Sequence, residues 1–406
     1  MSKAAKELRS RYISRNKKFD YLPDTDRYLS ASVPPSYKFA IIGSGNIGQE
    51  HMRVTMMEGR ATVHGIYDPN PKSIEQATAL FANLAGESAP LTVYPTLQEA
   101  CHDPEVDALI ICTPNYTHID IVKEAITSGK HILLEKPMAT TLEDAHTIAE
   151  LARDYDAVFQ IGLQYRYKAI YSEAIHEALE RKSVGEVKMI NMMEHRMPFL
   201  DKVAQWNKFS KYSGGTLVEK CCHYFDLMNL FAQSKPVEVY ANGGMDVNFK
   251  EFKYQSVQSD IVDNAMVTVR YENGVRASFQ LCMFSPMFYE ELVVCGDEGR
   301  LKVSENEDFL GAHRPRNQFE IILGEEKPSR IATPCYPSYI EESGHGGATY
   351  YEHVYFIDNI EKKPTTTAKV EEGLWSVIVG VAAEQSMKSG STVRVDQMLK
   401  EKGLLV

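Results

Sequence analysis

From Lys38 to Tyr165 short apolar runs alternate with longer stretches of helical spacing. The apolar runs are "FAII" (39–42), "ATVHGIYD" (61–68), "LTVYP" (91–95), "VDALIICTPN" (106–115), "KHILLEKP" (130–137) and "AVFQIGLQY" (157–165). Helical patterns lie between them. "TLQEACHD" is one, "THIDIVKEAITSG" ends on a glycine stop at Gly129, and "TLEDAHTIAELARDY" opens with a threonine cap and an acidic first turn. Strands apolar throughout, separated by helices of this length, predict βαβ units in a parallel sheet covered on both faces.

Beyond Arg166 the period changes. A helix ("YSEAIHEALERK") precedes a long strand region ("GEVKMINMMEHRM"), and further strands are expected near 237–243, 264–271, 275–284, 290–295, 299–303 and 318–323. Hairpin signals such as "ENG" (272–274) and "DEG" (297–299) join several of them, which implies a mostly antiparallel sheet. Two late helices, about 347–362 and 369–389, should cover that sheet or reach back to the first half.

The first strand runs into Gly43, Gly45 and Gly48 in G-x-G-x-x-G spacing, with Asn46 and Ile47 inside the turn and a helical pattern after it. The first glycine allows the tight turn, the second lets the backbone approach a pyrophosphate, and the third lets the helix pack on the strand. The second strand ends in Asp68, about 20 residues on, where a carboxylate can hold a ribose 2′-hydroxyl and repel a 2′-phosphate. Asp68 also precedes Pro69, so it is a turn residue as well. These features favour NAD over NADP. The expected architecture is α/β: a doubly wound parallel Rossmann sheet, then an α+β domain with an open, mostly antiparallel sheet. The domains are an arm (1–37), the nucleotide domain (38–163) and a substrate and assembly domain (164–406). In parallel sheets ligands sit beyond the carboxyl ends of the strands, which places "CTPNYTH" with Thr113, and "EKP" with Glu135 and Lys136, at the cofactor edge. A lysine ending a buried strand is costly unless it reaches a cleft.

Composition narrows the classes. A net charge of −11 argues against a nucleic-acid partner. No stretch approaches the ~20 apolar residues that span a bilayer, and the opening residues lack an apolar h-region. Seven cysteines without CxxC pairs fit a reducing compartment, so a cytoplasmic location is expected. The basic arm ends in "ASVPPSY" and should pack on its own or a neighbouring subunit.

"VEKCCHYFD" (218–226) gathers metal-ligand and nucleophile types. On one helix, Glu219, His223, Asp226 and Leu230 form a stripe while Cys221 points nearly opposite. Zinc needs about four ligands at suitable spacing, and no second Cys/His cluster is apparent. No metal is therefore expected, and the cysteines read as small buried hydrophobes.

"AIIGSGNIG", "CTPNYTH", "EKP" and "GGTLVEKCCHYFDL" occur in an order and spacing that resemble the glucose–fructose oxidoreductase / inositol dehydrogenase (Gfo/Idh/MocA) family, over nearly all of residues 38–390. The resemblance implies NAD(P) and a sugar or polyol meeting between two domains. It puts the family lysine on Lys136 and the family Asp-x-x-x-His pair on Glu219 and His223, with glutamate in place of aspartate. Histidine suits proton removal from a secondary ring hydroxyl near neutral pH. Lys136 would stabilise the developing alkoxide, helped by a pKa lowered on burial, and Asp226 or Glu219 would orient the imidazole. By the same analogy Asn115, His118 and Gln164 shape the nicotinamide and ribose site. Arg166, Trp206, Asn207, Lys220 and His345 are candidates for the sugar pocket. The implied activity is an NAD-dependent sugar or polyol dehydrogenase, assembled as a homodimer or homotetramer. Some relatives instead cleave glycosides with NAD that is not consumed, and a non-catalytic sugar sensor is a third possibility.

Overall fold

A computed structural model describes residues 34–306, 316–325 and 327–404. The expected arm lies outside these residues except for 34–37. Strands β1 (Tyr37–Ile42), β2 (Ala61–Tyr67), β3 (Thr92–Val93), β4 (Ala108–Ile111), β5 (His131–Glu135) and β6 (Phe159–Gly162) form a parallel sheet in the order β3-β2-β1-β4-β5-β6. The order reverses beside β1, which opens a crevice above its carboxyl end. Alternate residues of each strand serve the two faces. Phe39 and Ile41 pack with Met52, Phe81, Phe356 and Ile357, whereas Ala40, Ile42, Leu109 and Ile111 pack with Leu142, Ala145 and Ile148. Burial on both sides explains why these strands read as continuous apolar runs.

The remaining strands in chain order are β7 (Val187–His195), β8 (Pro236–Gly244), β9 (Lys253–Tyr254), β10 (Val257–Gln258), β11 (Asn264–Tyr271), β12 (Arg276–Cys282), β13 (Tyr289–Gly296), β14 (Arg300–Asn306), β15 (Arg316–Ile322), β16 (Arg330–Ala332) and β17 (Val393–Arg394). Apart from the small β9–β10 hairpin they form a sheet in the order β16-β15-β14-β13-β7-β12-β11-β8-β17. All neighbours are antiparallel except β7 and β12. One face carries the Cys222–Ala232 and Val370–Ser389 helices; Tyr224 stacks on Phe279 at 4.7 Å and Phe225 meets it edge-on at 5.7 Å. Along β11, Ala265, Val267 and Val269 are buried while Met266, Thr268 and Arg270 face outward.

The late helices do both things expected of them. Val370–Ser389 covers the large sheet and also packs on the Leu142–Ala152 helix of the nucleotide domain. Ala348–Ile360 packs on the Asn46–Glu58 helix, and Arg60, just after that helix, donates to Asp358 at 2.6 Å and to the Val354 carbonyl at 3.0 Å. The two halves are thus joined by the chain's return. No helix among the described residues is long and apolar enough to cross a membrane.

The single helix expected to carry Glu219, His223, Asp226 and Leu230 is broken. Thr216–Glu219 and Cys222–Ala232 are separate helices, with Lys220 and Cys221 between them. The stripe assumed from an unbroken 100° rotation therefore does not hold across that junction.

Candidate active site

The glycine turn has the shape of a pyrophosphate cradle. Gly43 has φ +93°, and a Cβ there would lie 2.8 Å from the Cys112 carbonyl carbon. At Gly48 a Cβ would lie 2.1 Å from the Gly43 oxygen, so both positions demand glycine. At Gly45 a Cβ would meet nothing within 4 Å, which leaves open space over the turn. The Asn46–Glu58 helix, which includes Ile47, starts there without a side-chain cap, so its first amides and positive dipole end face that space. Asp68 follows β2 and accepts from the Ser44 amide at 2.8 Å with one oxygen and from the Asn70 amide at 2.8 Å with the other. It is a turn residue, as expected, and its carboxylate is locked beside the glycine loop.

Two further polar atoms are buried without partners: Asn115 Nδ2 and Gln164 Oε1. A buried amide left unpaired is costly, and these two lie on segments that follow β4 and β6. The glycine cradle, the locked Asp68 and these open amide atoms fit a dinucleotide. His118 does not join them. Its Nδ1 lies 3.0 Å from the Pro137 carbonyl and its Nε2 3.0 Å from the Thr113 carbonyl, so the ring clamps two loops together. Thr113 accepts from the Thr117 hydroxyl at 2.8 Å. Glu135 is buried against His51 Nε2, 3.0 Å away, and its other oxygen accepts from the Lys136 amide at 3.0 Å. It braces the lysine turn from beneath.

Lys136 is half-buried and donates from Nζ to the Glu219 carbonyl at 3.1 Å, which joins the nucleotide domain to the broken helix. Burial pushes its pKa down, but the Glu219 carboxylate and other acidic neighbours outweigh this and the net direction is up. The expectation of a lowered lysine pKa is therefore corrected: the ammonium is held charged by a carboxylate 83 residues away in the chain. Burial likewise works against the Glu219 charge, yet Lys136, Lys202 and Lys220 together hold its pKa at about 2. Lys202 Nζ lies 3.3 Å from its carboxylate.

The His223 ring is buried and stacks on Tyr165, with centroids 4.0 Å apart and planes 7° apart. Burial first, then the cations of Lys136 and Lys220, hold its pKa well below the ordinary histidine value, so the ring is neutral. Its Nδ1 is buried without a hydrogen-bond partner. Neither Glu219 nor Asp226 orients it. Asp226 is spent on Arg166, which reaches both of its oxygens at 2.6 and 2.5 Å, and Glu219 faces the lysines. Arg166 is correspondingly turned to the core rather than to a sugar pocket. The stack on Tyr165 takes over the orienting role.

Lys220 donates to the Tyr165 hydroxyl at 2.8 Å and pairs with Glu194 at 3.0 Å. The His345 ring is 6.5 Å from Tyr165, and its Nδ1 lies 2.7 Å from Glu50. Trp206 is buried, with the Lys202 ammonium 4.6 Å over its ring. Asn207 donates to the Leu200 carbonyl at 3.1 Å and leaves its buried Oδ1 unpaired. Lys220, His223 and His345 thus converge around Tyr165, Lys136 meets the same segment at the Glu219 carbonyl, and Trp206 and Glu219 share Lys202. Tyr165, Lys202 and Glu194 escaped sequence reasoning. Tyr165, one residue from Gln164 and Arg166, carried no motif of its own. Cys221 and Cys222 are free and fully buried; burial pushes Cys222 up to about 12 and Cys221 well above its ordinary value, which suits packing and not nucleophilic attack.

Residues 37–163 match the family model described as oxidoreductase family, NAD-binding Rossmann fold, and residues 176–395 match that of its C-terminal alpha/beta domain. The chain belongs to the Gfo/Idh/MocA oxidoreductase family. It is similar to a myo-inositol 2-dehydrogenase of Thermotoga maritima, at 23% identity over 89% of this chain and 99% of the relative. A scyllo-inositol 2-dehydrogenase (NAD(+)) of Bacillus subtilis is 26% identical over 88% and 96%. In fold the chain resembles a levoglucosan dehydrogenase solved with NADH and levoglucosan, with a TM-score of 0.74, 18% identity and coverage of 88% and 99%. Within this Gfo/Idh/MocA frame the protein is an NAD-binding oxidoreductase acting on alcohol groups.

Proposed function

We propose that the protein oxidises a secondary ring hydroxyl of a sugar, sugar derivative or polyol. The observation that carries this reading is the meeting of Lys136 with the Glu219–His223 segment, which sets a charged ammonium beside a neutral imidazole. The names of the inositol and levoglucosan dehydrogenases support a cyclic polyol or sugar as the substrate class.

NAD, when bound, supplies the hydride acceptor. Loss of a hydride from carbon requires the hydroxyl proton to leave, and the residues divide that work. Lys136, charged through the working pH range, donates to the reacting oxygen and stabilises its developing negative charge. His223, held neutral, takes the proton. Tyr165 holds the imidazole plane, Glu219 keeps Lys136 charged, and Lys220, His345 and Trp206 border the ring of the substrate. Asp68 selects the adenosine ribose of NAD over that of NADP.

The test is a panel of inositols, aldoses, anhydrosugars and glycosides, followed by NADH absorbance and product analysis. Stoichiometric NADH with a ketone product supports the dehydrogenase. Glycoside cleavage without net NADH, with NAD retained through purification, would replace it by the lyase-type glycosidase reaction, and NAD binding with no turnover by a sensor.

A further inference from the structure

A second group of titratable side chains is enclosed where three segments meet, outside the reacting groups. His51 comes from the Asn46–Glu58 helix, Glu135 from the end of β5, and Glu352 and His353 from the Ala348–Ile360 helix. One ligand atom each from His51, Glu135 and Glu352 lies within 4.8 Å of the others. Both carboxylate oxygens of Glu352 are buried without a hydrogen-bond partner, and the residue is 0% exposed. A carboxylate in that position needs a counter-charge or a proton.

The hydrogen-bond directions point the same way. Thr55 donates to the His51 carbonyl at 2.7 Å, which leaves its oxygen to accept from His353 Nδ1 at 3.3 Å. His353 then offers a bare Nε2, which accepts from His51 Nδ1 at 2.7 Å. The other ring nitrogen of His51, Nε2, faces the Glu135 carboxylate 3.0 Å away. An imidazole nitrogen, a carboxylate and a second, unpaired carboxylate thus converge, and a single divalent cation between them satisfies all three.

We propose that His51 Nε2, Glu135 and Glu352 bind one divalent transition-metal ion. One imidazole and two carboxylates form a mixed nitrogen and oxygen set suited to zinc, manganese or ferrous iron. His353 supplies the outer partner that fixes the tautomer of the ligating imidazole. The second oxygen of Glu135 accepts from the Lys136 amide at 3.0 Å, so the ion fixes the turn that carries the lysine. It also ties the helix after the glycine loop to the chain's C-terminal return. No step of alcohol oxidation passes through it. The expectation of no metal rested on 218–226 and on linear Cys/His clusters; these ligands stand at 51, 135 and 352 and share no motif.

The test takes the full-length chain stripped with chelator and titrates it with zinc, manganese or cobalt chloride. Metal content by mass spectrometry, Tm and the cobalt absorption spectrum are read together. Uptake of one equivalent with a raised Tm and a cobalt spectrum of nitrogen and oxygen ligation supports the site. The near-isosteric Glu352→Gln should lose that stoichiometric uptake, and His353→Gln should weaken it about tenfold or more. An unmoved Tm with no uptake by the native chain would overturn the proposal and leave a shared proton in the cluster. Equal uptake by native and Glu352→Gln protein would overturn it too. The native titration decides the matter even if a variant fails to fold.

Discussion

The His223 imidazole lies face to face with the Tyr165 ring, 4.0 Å between centroids and 7° from parallel, and Lys220 donates to the hydroxyl of that same tyrosine. One ring thus holds the plane of the imidazole and anchors a buried ammonium. Stacking of this kind contributes about 0.5–1.5 kcal/mol. Tyr165→Phe keeps the stack and loses the acceptor, so kcat should fall only a few-fold. Tyr165→Leu loses both and should lower kcat by about tenfold with NAD affinity unchanged. Steady-state kinetics on the two variants separate the roles; equal effects would show that the stack does not position His223.

The pH profile follows from the directions of the shifts. His223 has its pKa held well below the ordinary 6.5, so the acidic limb of kcat/KM should lie below that value. Lys136 is shifted upward, so it should not produce a basic limb below its ordinary 10.5. Glu219, at about 2 in the folded chain against an ordinary 4.5, contributes stability that is present above 4.5 and lost as pH falls toward 2. His223 acts in the same sense, because the unfolded chain binds its proton first as pH drops through 6.5. Thermal unfolding from pH 7 to 3 should show a shallower acid loss in Glu219→Gln than in the native chain.

Arg166 and Asp226 form a buried two-bond pair. Removing one partner strands a charge, at a cost of about 3–5 kcal/mol, whereas apolar replacement of both is often near neutral. Arg166→Met and Asp226→Leu should each lower the denaturant midpoint, and the double variant should recover most of the loss. A double variant as unstable as the worse single one would contradict this.

At the adenosine end, Asp68→Asn keeps an acceptor for the Ser44 amide and removes the charge. NAD affinity should drop about 10–100-fold, as for loss of a charged hydrogen bond, while the preference for NAD over NADP narrows. Binding titrations with both nucleotides check it, and an unchanged preference would remove Asp68 from the ribose site.

The features legible in the sequence were the local ones. Strand and helix periods, the glycine turn and the Asp68 spacing depend on neighbours within a few residues, and the parallel sheet follows them closely. The β7–β12 pairing was not legible, because hairpin signals fix only consecutive strands. The break at Lys220 and Cys221 left no mark on the apolar period, so the stripe through Glu219 and Asp226 read as continuous when it is not. The sign of the Lys136 shift depended on Glu219 across the domain junction. Tyr165 became visible only once the ring of His223 was placed over it.

Under the proposed function, Lys136 and His223 do the chemistry together while the glycine loop holds the nucleotide. The most direct measurement is kcat for NADH formation by Lys136→Ala and His223→Ala, with NAD affinity determined on the same samples. Loss of a general base or of an oxyanion-stabilising donor typically costs about 10²-fold or more. Each variant should show that loss with NAD affinity within a few-fold of the native value; native turnover by either one would mean that Lys136 and His223 do not act as a pair.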